Sequence, residues 1–141
     1  MNKRTLEEEL REHGILVYPI RGKSMEPMLR QNRDLVHLRL PDGPLKTNDV
    51  ALYRRPSGQY VLHRVVGEDA HGYIFLGDNC EKKEYGIQPD AVLGVLTEFV
   101  RKGKTIPVEN RQYQAYVWLW QRTFPLRSLV LRSLRWLRHM L

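Results

Sequence analysis

Residues 50–66 read VALYRRPSGQYVLHRVV: two short apolar runs, 50–53 and 60–66, with Arg55-Pro56-Ser57-Gly58 between them. Runs of this length, rich in β-branched and aromatic residues and parted by proline and glycine, predict two strands joined by a turn. The same pattern continues outward. Runs at 15–20, 35–40, 73–76 and 92–100 are again short and apolar or alternating. Between them stand Pro41-Asp42-Gly43-Pro44, Gly67-Glu68-Asp69 and Ala70-His71-Gly72, all with turn chemistry. No helical period fits this region and no internal repeat occurs in it. The expected body is mainly β, over 15–105.

Both ends read differently. Thr5 and Glu8 have capping-box spacing and Gly14 stands where a helix would end, so 1–14 predict a short N-terminal helix. From Tyr113 the period is helical again, within an expected tail of 106–141. Pro125 is expected to split that tail into 111–124 and 126–141, because proline breaks the interior hydrogen-bond ladder. On a wheel of about 100° per residue, Leu126, Leu129, Val130, Leu134, Trp136, Leu137, Met140 and Leu141 share one face. Arg127, Ser128, Arg132, Arg135, Arg138 and His139 share the other, and only Leu131 and Ser133 fall on the wrong side.

The chain has 141 residues, 42% hydrophobic and 28% charged. That is enough for one domain with an appendage, and it argues against a multidomain enzyme or a two-lobed nucleotide-binding architecture. A single cysteine, Cys80, excludes an internal disulfide framework and a zinc site built from cysteine alone. His13, His37 and His71 have no ligand spacing with one another, so neither metal nor cofactor is expected. No apolar run reaches the ~18 residues of a spanning helix. The N-terminal MNKRTLEEELREHG lacks the apolar core of a signal peptide. The expectation is therefore a cytoplasmic protein.

Charge is unevenly placed. Residues 1–100 carry 14 basic and 15 acidic side chains, whereas 101–141 carry 9 basic and one acidic. The net charge of +7 thus belongs to the tail, which implies an anionic partner for that segment alone.

Three stretches of the β body carry chemistry: Arg21 to Leu29 (RGKSMEPML), Tyr60 to Val66 (YVLHRVV) and Phe75 to Cys80 (FLGDNC). The first sets Ser24 in a loop after a strand, where its hydroxyl can be exposed and backbone N–H groups can face an oxyanion. The second sets His63 in an apolar strand, able to serve as general base. The third offers Asp78 in a glycine-containing turn, able to orient an imidazole. Each also has an ordinary structural role: serine beside glycine serves turns, a strand histidine packs, and the Asp of Gly-Asp-Asn bonds its own backbone. Asp34 and Asp49 precede strands and are expected to cap turns. Lys23, next to Ser24, points to the opposite face of an extended chain and is a poor base. Arg64 should point away from His63, toward solvent or a carboxylate.

Gly22-Lys23-Ser24-Met25-Glu26-Pro27 resembles the nucleophile box of type I signal peptidases and their LexA-like repressor relatives. The order that follows, Asn48-Asp49-Val50-Ala51-Leu52-Tyr53, then His63-Arg64-Val65, then Gly77-Asp78-Asn79, is similar to that superfamily's series of boxes over about residues 15 to 100. The histidine is similar to the Ser-His branch found in the endoplasmic reticulum and archaea. The resemblance implies a coiled β-sheet catalytic domain, with Ser24 as nucleophile, His63 as base and a third, acidic member. That branch carries a second carboxylate six residues after the Gly-Asp-Asn aspartate, where this chain has Glu84. Asp78 is slightly favoured as a structural or orienting residue, and Glu84 remains a contender. Gly22 stands where a hydroxyl donor is common, which leaves oxyanion stabilisation to backbone N–H groups, including that of Ser24.

The implied activity is that of a serine endopeptidase cutting a leader or signal-like peptide, or a precursor protein, after small residues through an acyl-enzyme. The alternative is a non-catalytic or self-cleaving peptide-binding regulatory module on the same fold. Three roles compete for the tail. They are covering the body with its apolar face, binding an anionic membrane surface, and meeting nucleic acid or an acidic protein. The near-neutral body argues against nucleic acid, and the combination of Trp, Leu and Arg favours the inner face of a membrane.

Overall fold

The computed structural model describes residues 5–140, apart from the side chain of Ser128. Residues 1–4 and Leu141, the outer ends of the two expected helical segments, lie outside it. The described chain divides between Val108 and Glu109 into a β unit and a helical unit. No helix among the described residues is long and apolar enough to cross a membrane.

The first unit opens with helix α1 (Leu6–His13). Its capping box closes both ways, with Glu8 N–H donating to Thr5 Oγ1 at 3.1 Å and Thr5 N–H to Glu8 Oε2 at 3.3 Å. Gly14 donates back to Leu10 O at 2.8 Å and ends the helix. Eight antiparallel strands follow: β1 (Ile15–Pro19), β2 (Asp34–Arg39), β3 (Val50–Arg54), β4 (Tyr60–Asp69), β5 (Gly72–Leu76), β6 (Glu84–Ile87), β7 (Val92–Arg101) and β8 (Lys104–Pro107). Their order is β1-β2-β7-β3-β4-β5-β6, with β8 paired to β7. The protein is mainly β with a short N-terminal helix and C-terminal helices.

Six strands match the runs read from the sequence. The differences are local. Gly67-Glu68-Asp69 belongs to β4 instead of forming a turn, because a register shift between Val65 and Gly67 lets the strand run on to Asp69. β6 and β8 were not expected: they are four residues each, and Gly86 and Pro107 mask them. β8 reaches Pro107, so the unit boundary falls after 108 and not after 105.

One apolar cluster joins Leu45, Ala51, Tyr53, Val61, Val65, Tyr73, Phe75 and Ile87. The register explains it. Tyr53 faces Val61, Val65 faces Phe75, and strict alternation puts these side chains on one side of the sheet. Elsewhere Leu10 of α1 packs over Gly94 of β7, where a Cβ would stand 3.3 Å from Leu10 Cδ1.

The second unit holds α2 (Arg111–Arg122) and α3 (Phe124–Met140). Asn110 caps α2 by accepting from Tyr113 N–H at 3.0 Å. The break between the helices falls at Thr123 and not at Pro125. Pro125 instead occupies the first turn of α3, where its missing N–H costs no intrahelical bond.

Candidate active site

The loop between β1 and β2 carries Ser24, half-buried, on a cleft of about 550 Å³ that His63 and Cys80 also line. Lys23 is exposed and does not line it. Two sets of bonds fix this loop. At its far end Asp34, buried at the start of β2, accepts from Arg30 N–H at 2.8 Å and pairs with Arg33 and Arg101. Both guanidinium groups also donate to Met28 O. Burial alone would raise the Asp34 pKa, but its bonds to Arg101, Arg33 and the Arg30 backbone outweigh that and lower it.

At its near end the loop is held by the Gly77-to-Cys80 turn. Asn79 N–H donates to Ser24 O at 2.8 Å, and Asn79 Nδ2 donates to Lys23 O at 3.0 Å. Asp78 anchors that turn. Its carboxylate takes Arg64 Nε and Nη2, each at 2.9 Å, with both side chains completely buried. Arg64 Nη1 reaches on to Asn48 O at 2.9 Å. Of the two destinations expected for Arg64, solvent is thus excluded and a carboxylate found. Because Arg64 follows His63 in β4, the pair links the strand that bears the histidine to the turn that holds the Ser24 loop.

His63 is 8% exposed. Its Nε2 and the Ser24 main chain converge on Gly77: a Cβ there would stand 2.9 Å from Nε2, 2.7 Å from Ser24 O and 2.7 Å from Cys80 Sγ. Only glycine leaves room for that approach. Gly77→Ala is expected to cost about 1–3 kcal/mol by overpacking against a backbone oxygen. Chemical denaturation checks this, and unchanged stability would contradict the packing described.

On the other side of the ring, Tyr53 Oη lies 3.5 Å from His63 Nδ1 and donates to Glu84 Oε2 at 2.7 Å. Arg55 holds the same carboxylate through Nε at 3.0 Å and Nη2 at 2.8 Å. These bonds from Arg55 lead the causes that lower the Glu84 pKa, so Glu84 is an anion at neutral pH. Tyr53 commits its only proton to Glu84, which leaves its oxygen to accept from His63 Nδ1–H. With that proton committed, the contact favours the tautomer in which Nε2 carries the lone pair. Glu84 therefore reaches His63 through Tyr53, while Asp78 is committed to Arg64.

Desolvation by burial pushes the His63 pKa down to about 4, more strongly than the Glu84 charge raises it. The ring is neutral at pH 7. Below pH 6.5 the unfolded chain takes up a proton that the folded protein refuses, so stability falls with falling pH until about pH 4. The full effect is about 3 kcal/mol. Unfolding measured across that range should show this component in wild type and lack it in His63→Gln; identical pH slopes would contradict it.

Among the described residues, neither Ser24 Oγ nor His63 Nε2 has a hydrogen-bond partner, and the Ser24 N–H is also unpaired. The Gly22 N–H, by contrast, is taken by Gln31 Oε1 at 2.6 Å, so it is withdrawn from any oxyanion site. No group of three or more His, Cys, Asp or Glu suited to a metal occurs among the described residues. Tyr53, Arg55 and Gln31 were not singled out from the sequence. Tyr53 was legible in principle: it pairs with Val61, two residues from His63, and so lies diagonal to the histidine on the same face.

The chain matches no protein-family model and no curated protein. The arrangement unites a loop serine with an unpaired hydroxyl, a neutral buried imidazole with a defined free nitrogen, a carboxylate acting through a phenol, and an available backbone N–H. Such a set can perform acyl transfer.

Proposed function

We propose that this protein is a serine endopeptidase similar to the Ser-His branch of the signal peptidases, on a coiled β-sheet of the signal-peptidase and LexA-like type. The observation that carries the reading is the meeting of the Ser24 main chain and His63 Nε2 over Gly77, with the other ring nitrogen backed by Tyr53 and Glu84.

In the proposed reaction His63 Nε2 takes the Ser24 hydroxyl proton as Oγ attacks the carbonyl carbon of the scissile bond. The Ser24 N–H donates to the oxyanion. The C–N bond breaks, His63 passes its proton to the leaving amine, and an ester on Ser24 remains. Water, deprotonated by His63, then releases the acid and restores the hydroxyl. Tyr53 and Glu84 are positioning residues: they hold the tautomer and favour the transient imidazolium. Asp78 positions the Ser24 loop through Arg64. The substrate would be an extended leader or signal-like peptide laid along the cleft as an added strand and cut after a small side chain.

The test is cleavage of a panel of extended peptides bearing small residues, with products identified by mass spectrometry. Wild type should cut after a small residue, and Ser24→Ala should fall to background. Absence of cutting, with the peptides still bound, would favour a peptide-binding regulatory module. Equal cutting by Ser24→Ala would refute the assignment.

A further inference from the structure

We infer that α3 docks on an anionic lipid surface. One flank of α3 is buried. Arg127 is buried there, its guanidinium 5.1 Å from the rings of both Trp120 and Phe124, and its Nη2 donates to Trp120 O at 3.3 Å. Leu131, one turn on, is buried as well. On a helical wheel both lie within the arginine arc, at its end nearer Leu134, so the apolar face is left over. Leu126, Leu129, Leu134, Trp136, Leu137 and Met140 are 49–65% exposed, an apolar stripe running the length of a 17-residue helix.

An exposed stripe of this extent marks an interaction surface. The charges beside it choose the partner. α3 contains no acidic residue, and Arg132, Arg135 and Arg138 are exposed on its polar arc. Arg132 stands next to Trp136 on one border of the stripe, and Arg138 next to Leu134 on the other. A bilayer with anionic headgroups meets both demands at once: acyl chains cover the leucines, the tryptophan sits at headgroup level, and the arginines meet phosphate. Nucleic acid would satisfy the arginines and leave the apolar stripe wet. The inference is independent of peptidase activity, so Ser24→Ala should bind vesicles as wild type does.

Flotation of the full chain with vesicles tests it, using phosphatidylcholine with and without phosphatidylglycerol. Each arginine near the surface contributes roughly fivefold in partition, so binding should rise about tenfold or more with the anionic lipid and fall when salt is added. Arg132→Gln/Arg135→Gln/Arg138→Gln should lose that gain, and the corresponding triple lysine variant should keep it. Leu129→Asn/Trp136→Asn should weaken binding to both vesicles, with helix content checked by circular dichroism. Equal partition into neutral and anionic vesicles would overturn the inference. So would unchanged binding by the glutamine variant, or capture by RNA without binding to vesicles.

Discussion

Asp78→Asn is expected to destabilise the protein by about 3–5 kcal/mol, the cost of leaving one member of a buried ion pair uncompensated. Arg64 and Asp78 are both completely buried, and each guanidinium–carboxylate contact is 2.9 Å. Asparagine keeps the shape but removes the charge, and its amide nitrogen cannot accept from Arg64. Glu84→Gln removes a carboxylate that stays partly exposed beside Arg55, for which about 1 kcal/mol is the expected scale. The two acids should therefore separate cleanly. Denaturant unfolding should give Asp78→Asn the large loss and Glu84→Gln the small one. The reverse order would mean that the Gly77-to-Cys80 turn is held by something other than this pair.

The largest expected kinetic effect after loss of the nucleophile belongs to His63. His63→Ala should lower kcat/KM by about 10²–10⁴, the usual worth of a positioned general base. Tyr53→Phe deletes the acceptor at Nδ1 and with it the reason for Nε2 to carry the lone pair, so about tenfold is expected. The pH profile distinguishes these positioning residues from residues that merely pack. In wild type the acid limb of kcat/KM should fall near pH 4, because burial pushes the pKa of the His63 imidazole down to about 4. Glu84 raises the His63 pKa by its charge, so Glu84→Gln should move the limb lower still. A limb near pH 6.5 in wild type would place the histidine in solvent; a Glu84→Gln profile identical to wild type would remove Glu84 from the relay.

Much of the β body was legible because apolar runs and turn residues are local signals. The reading of 50–66 as strand, turn and strand survives as β3 and β4, with Tyr53 opposite Val61 and Ala51 opposite His63. The missed strands, β6 and β8, are short and polar, and their pairing depends on neighbours distant in sequence. The candidate site divides along the same line. Ser24 and His63 are marked by their own surroundings, and alternation along β4 already turns Arg64 away from His63. Tyr53 depends on cross-strand register, which sequence does not print. The separate employment of Asp78 and Glu84 is likewise a tertiary fact, since Asp78 lies in the Gly77-to-Cys80 turn and Glu84 begins the strand after it, on the face of the sheet that His63 shares. In the helical unit, proline's preference for a first turn outweighed its effect as a breaker, which moved the break to Thr123.

The central claim is that peptide cleavage passes through an ester on Ser24, and trapping with hydroxylamine tests it most directly. During turnover of a peptide that the enzyme cuts, hydroxylamine should compete with water for the acyl group. The account predicts that mass spectrometry will find a hydroxamate at the new C-terminus from wild type, and none from Ser24→Ala. Cleavage that yields only the free acid at every hydroxylamine concentration, and persists in Ser24→Ala, would contradict it.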